Sequence, residues 1–145
     1  MPRKRLPDRA FPGAVQAEAT AKLAEFFRAN ENVKSVSYVG FEDNASYALA
    51  QKYFHKGAAC VISVDIKGTL ESTVKLVEGL KLVANMTMIG DSITVVTHPA
   101  STTHKQLSAE ALERAGISPT LLRISAGLEA VEDIIEDFEQ AFAQI

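Results

Sequence analysis

The stretch LLRISAGLE at 121–129 sets one arginine between aliphatic neighbours. Alternation along a strand sends Leu122 and Ile124 to one face and Arg123 and Ser125 to the other. A guanidinium is permanently charged and offers a planar fork of donors, so its matching ligand is a carboxylate or another oxyanion. The Ala-Gly pair that follows permits a tight turn, and LEAVEDIIEDFEQAF then has helical spacing. Arg123 therefore stands close to a helix start, where an anion is welcome. The competing reading is a solvated strand-face arginine, or a structural one bridging an acid such as Glu129.

A second segment could share such a ligand. HPASTTHKQ at 98–106 packs Ser101, Thr102, Thr103, His98, His104 and Lys105 between regular elements. Polar loops of this kind often carry binding groups, although many only cap and turn. The hydroxyls can donate to a carboxylate, and the two segments can meet at one end of a sheet.

Other chemistries find little support. His55, His98 and His104 match no common ligand spacing, and no cysteine or carboxylate cluster accompanies them, so no metal site is expected. Neither a glycine-rich phosphate loop nor a GxSxG nucleophile elbow occurs. Cys60, the single cysteine, excludes an internal disulfide; it reads as a buried thiol sharing a strand face with Ile62, Val64 and Ile66. The acids of the last helix read as its solvated face.

The elements that must position Arg123 follow from periodicity. At 145 residues and 47% hydrophobic content, the chain suits one domain with a real core. A net charge of -3 argues against a nucleic-acid surface. No apolar run is long enough to span a bilayer and no signal peptide is visible, so a cytoplasmic protein without membrane contact is expected. The basic start MPRKRLPDR reads as a flexible tail over 1–10, ahead of a single domain over 11–145. Helices are expected around Leu23 and Phe27, over ASYALAQKYF, over LESTVKLVEGLKLV, after Ser108, and over the last fifteen or so residues. Strands are expected at VKSVSYV, at 58–66, at MTMI, at ITVVT and around Arg123. These make an α+β two-layer sandwich, a mainly antiparallel sheet of about four strands with helices on one face.

HPASTTHKQLS, followed by AGISPTLLRISAGLEAVEDIIEDFEQAF, closely resembles the C-terminal region of the Cys/Met-metabolism pyridoxal-phosphate enzymes, and most of all their O-acetylhomoserine sulfhydrylase branch. NVKSVSYVGFEDNASYALAQKYFHKGAACVISVDIKG and LKLV resemble the same branch in order and spacing, so the likeness runs from about Phe11 to the end.

The resemblance implies a small C-terminal domain of a fold-type I enzyme, an antiparallel sheet with helices on one side. It implies that Arg123 binds the substrate α-carboxylate with Thr103 beside it. Met88, in MIG, stands where the family has a serine or asparagine lining that site. The cofactor lysine, the phosphate-binding glycines and the ring-stacking tyrosine of the family belong to a preceding domain with no counterpart here; Lys105 belongs to the HPASTTH match instead. The chain is thus expected to hold no catalytic residue and to bind no pyridoxal phosphate itself. Its expected partners are an amino-acid carboxylate, the missing cofactor domain and further copies in a homo-oligomer. The implied reaction replaces the acetyl group of O-acetylhomoserine with sulfide or a thiol. The alternative is a non-catalytic binding or assembly module of the same fold.

Overall fold

The structure is a computed structural model that describes residues 12–55 and 57–145; the expected tail at 1–10 lies outside the described residues. In chain order it contains α1 (Pro12–Ala29), β1 (Val33–Ser37), α2 (Tyr47–Tyr53), β2 (Val61–Ile66), α3 (Leu70–Gly79), β3 (Ala84–Asn85) and β4 (Val95–Thr97). A 3₁₀ turn (Pro99–Ser101), α4 (Ala109–Arg114), β5 (Leu121–Ser125) and α5 (Val131–Phe142) complete it. No helix among the described residues is long and apolar enough to cross a membrane.

One sheet has the order β1-β2-β5-β4-β3, so the strand carrying Arg123 lies in the middle. Every pairing is antiparallel except that of β3 with β4. The α+β sandwich expected from the periodicity is present, with five strands rather than about four. The additional strand is only two residues long. MTMI does not form the expected strand: Met86 gives its N–H to Val96, and the chain then leaves the sheet edge.

Alternation explains the core. Ile62, Val64, Leu122 and Ile124 bury one sheet face against Leu23 and Phe27 of α1, Leu76 of α3, and Ile134 and Phe138 of α5. Phe27 and Phe138 meet edge to face, with ring centroids 4.8 Å apart, the arrangement that aromatic quadrupoles favour. The helix expected around Leu23 and Phe27 is α1, and both side chains are fully buried. Cys60 lies just before β2 and is half-buried rather than fully enclosed.

Helix ends follow local chemistry. Thr69 closes a reciprocal capping box with Ser72 at the start of α3. The Ser108 hydroxyl accepts the Ala111 N–H at α4, and Gly116, at φ +70°, lets the chain leave that helix. One expectation about α5 fails at a specific residue. Asp137 is buried, not solvated, and its carboxylate accepts the backbone N–H groups of Lys81, Leu82 and Val83, each at 2.9 Å. An acid on the helix thereby satisfies three successive amides of the α3–β3 connection.

Candidate carboxylate site

Sheet register puts Arg123 at the centre of a polar row. It faces Ser63 of β2 on one side and Thr97 of β4 on the other. Its neighbours in sequence, Leu122 and Ile124, are fully buried on the opposite face, while Arg123 is half-buried. The guanidinium Nη2 donates to the Thr87 carbonyl at 2.8 Å and lies 3.4 Å from the Thr97 hydroxyl. The second contact is long and therefore weak. Among the described residues, Nε and Nη1 donate to nothing. Both two-pronged edges of a guanidinium include Nη2, one with Nε and one with Nη1. A carboxylate can thus take a single contact at once, and a double one by displacing Thr97 or Thr87.

The segment 86–90 forms a strap over the outer sheet face. Thr97 donates its hydroxyl proton to the Met86 carbonyl at 2.6 Å, Arg123 holds the Thr87 carbonyl, and Ser125 accepts the Gly90 N–H at 3.0 Å. Between these holds, Met88 and Ile89 point outward, 48% and 57% exposed. Met88 thus follows directly on the residue that Arg123 grips.

Thr103 is placed differently. It is exposed, and its hydroxyl pairs with Nδ1 of His104 at 2.8 Å, with no hydrogen bond to Arg123. The firm member of the HPAS segment is His98. Its ring is buried, with Nε2 2.8 Å from the Pro119 carbonyl and Nδ1 2.7 Å from the Ser101 hydroxyl. A carbonyl only accepts, so Nε2 carries the proton and Nδ1 accepts from Ser101. His98 therefore ties the 3₁₀ turn to the segment leading into β5. The described residues contain no group of three or more potential metal ligands.

A broad groove of about 970 Å³ opens elsewhere, lined by Leu70, Leu107, Leu112, Ile117, Lys105 and Lys34 among others. Neither Arg123 nor Met88 lines it. Its lining has no aromatic ring to stack on a pyridine; Lys34 pairs with Asp65 at 3.5 Å, and Glu113 adds an opposing charge. The groove does not fit pyridoxal phosphate, and Lys105 there lacks the surroundings of an imine-forming lysine.

The model of the Cys/Met metabolism PLP-dependent enzymes matches residues 14–143. The chain belongs to that family. It is 43% identical over 126 residues to the sulfhydrylase FUB7 of Fusarium oxysporum f. sp. lycopersici, a match covering 87% of this chain and 29% of the relative. It is 38% identical over 125 residues to O-acetyl-L-homoserine sulfhydrylase of Leptospira meyeri, covering 86% of this chain and 28% of the relative. Among solved structures, an O-acetylhomoserine (thiol)-lyase of Campylobacter jejuni superimposes with a TM-score of 0.81 at 35% identity, over 89% of this chain and 31% of that one. That structure carries N'-pyridoxyl-lysine-5'-monophosphate. The family depends on pyridoxal phosphate, and this chain spans less than a third of the length of these relatives.

Thr97, Ser125 and the Thr87 carbonyl are the site members that sequence reasoning passed over. Ser125 had a signal, since alternation already put it on the face of Arg123. The Thr87 carbonyl had none, because backbone groups carry no side-chain signature.

Proposed function

We propose that residues 11–145 act as the substrate-carboxylate domain of a pyridoxal-phosphate enzyme that replaces the acetyl group of O-acetylhomoserine with sulfide or a thiol. The observation carrying this reading is Arg123 itself: a half-buried guanidinium on the central strand, with two of its nitrogens donating to no described residue, in a chain of this family. In the reaction a C–S bond forms at the substrate γ-carbon as the C–O bond breaks and acetate departs with the electron pair. Pyridoxal phosphate, bound by the cofactor-bearing part of the enzyme, would supply the electron-withdrawing chemistry. Arg123 fixes the α-carboxylate and so orients the amino acid. Met88, next to the gripped Thr87, brings an apolar residue to the edge of the site, and Thr103 supplies a hydroxyl only if it turns from His104.

The test supplies the cofactor-bearing part of a relative, such as the Leptospira meyeri enzyme without its matching segment, and follows homocysteine formation from O-acetylhomoserine and sulfide. Arg123→Lys should raise KM about tenfold to a hundredfold, the worth of one charge-assisted contact. Unchanged kinetics in that variant would remove Arg123 from the site. Met88 in place of a polar residue favours a second reading, a binding or assembly module of the same fold. A reconstituted complex that assembles yet forms no homocysteine would decide for it.

A further inference from the structure

The three holds on the strap differ in kind. Arg123 holds Thr87 with a group that a ligand would claim, whereas Thr97 and Ser125 hold Met86 and Gly90 with hydroxyls that are almost wholly enclosed, 2% and 1% exposed. When a carboxylate takes the Nη2 hydrogen that the Thr87 carbonyl holds, the middle hold is released and the two outer ones remain. We propose that Thr97 and Ser125 are positioning residues that fix both ends of the strap, so that Met88 stays beside Arg123 while the guanidinium exchanges the Thr87 carbonyl for a ligand carboxylate. This rests on the carboxylate reading of Arg123.

Chemistry and register support the division of labour. Thr97 is the direct cross-strand partner of Arg123. Its hydroxyl proton is committed to the Met86 carbonyl, which leaves its oxygen lone pairs facing the guanidinium. Ser125 lies two residues beyond Arg123 on the same strand face and reaches Gly90, three residues beyond Thr87. Met88 and Ile89 are therefore spanned by two holds rather than left as a free tip. Without the outer holds, loss of the Thr87 contact would free the whole segment and carry Met88 away from the ligand.

The 145-residue chain, labelled with ¹⁵N and with ¹³C at the methionine methyls, is titrated with acetate and followed by NMR. In the unaltered chain, acetate should shift the Arg123 Nε–H and the Thr87 and Met88 signals along one saturating curve, while the Gly90 amide stays protected from exchange. Thr97→Val and Ser125→Ala should each keep the dispersed amide spectrum and an Arg123 Nε–H that still saturates with acetate, at a midpoint that Thr97→Val shifts because it removes the contact to Nη2. In each, the Met88 methyl should cease to follow acetate. In Ser125→Ala, Gly90 should also exchange about tenfold faster, as expected for one lost hydrogen bond. Thr97→Ser should restore the coupling, because it keeps the hydroxyl. If either variant loses its dispersed spectrum, the other decides, since the two act at opposite ends. Met88 responding to acetate as before in a folded variant overturns the inference. An Arg123 signal indifferent to acetate, or equal responses in Arg123→Lys, instead overturns the carboxylate reading, and the inference falls with it.

Discussion

Glu129 binds Thr94 twice, taking the backbone N–H at 2.7 Å on one carboxylate oxygen and the hydroxyl at 2.8 Å on the other. The Thr94 hydroxyl in turn accepts the Gly127 N–H at 2.9 Å. The acid that a structural Arg123 would have bridged is thus engaged in fastening the exit of β5 to the entry of β4. Gly127 is necessary to this fastening, because a Cβ there would meet the Glu129 carboxylate and the Thr94 nitrogen.

From that relationship the stability effects should separate. Glu129→Ala should cost about 1–3 kcal/mol, since it leaves the Thr94 amide without its acceptor. Gly127→Ala should cost more than Glu129→Ala, because displacing the carboxylate leaves the clash with the Ile93–Thr94 backbone. Arg123→Ala should cost about 1 kcal/mol or less, its hold on Thr87 being part-exposed. Urea midpoints at constant slope measure all three. An Arg123 variant melting as early as the Glu129 one would make Arg123 a scaffold residue.

Asp137 should be the most sensitive acid of α5. Three amides converge on it, so Asp137→Ala should lose about 3 kcal/mol. Asp137→Asn should be nearly as damaging, because its amide group sets donors against donors. Glu136→Ala and Glu139→Ala, on the exposed side, should change stability by no more than about 0.5 kcal/mol. Parallel denaturation curves for the four variants would show the contrast or its absence.

Alkaline pH should expose Tyr38. Burial, assisted by the nearby Glu25 carboxylate, raises its pKa above the ordinary 10.0. Folding therefore favours the neutral phenol. The resulting stability is complete below the ordinary value and is lost as pH rises through the folded-state value. Tyr38→Phe should flatten the stability–pH curve above pH 10.0 while leaving it unchanged at neutrality. Thermal melts of the two chains across that range supply the comparison.

Much of this arrangement was legible because it rests on periodicity. Leu122 and Ile124 opposite Arg123, and Ile62 and Val64 beside them, follow from alternation alone, and the α5 stripe of Ile134 and Phe138 follows from helical spacing. Asp137 resembles its solvated neighbours in sequence because its partners are backbone amides 54 to 56 residues away. The strap has strand-like sequence yet is no strand, for a similar reason. MTMI has strand-forming residues, but Arg123 and Ser125, far along the chain, take the backbone groups that a ladder would have used. His98 reads in sequence as one polar residue of a loop, and only its two buried partners reveal a tie.

The strap should also govern association. Met88 and Ile89 are exposed there, and Ile93 and Leu128 are exposed close by, where Leu128 donates its N–H to the Ser92 carbonyl at 2.9 Å. Such patches find apolar partners. The chain should associate with rising concentration in sedimentation, and Ile89→Ser with Leu128→Ser should weaken the dissociation constant about tenfold or more. A monomer throughout the accessible range would contradict this.

The two rims of the sheet decide what form that association takes. β3 offers only two residues, and β1 carries a register shift between Val33 and Ser35 that leaves Lys34 outside the ladder. A bulged rim with a charged side chain and a rim too short to template a neighbour both resist strand-by-strand growth. Copies of this chain should therefore meet through side chains and separate again, with no route to a continuous intermolecular sheet, even when the apolar strap is bare.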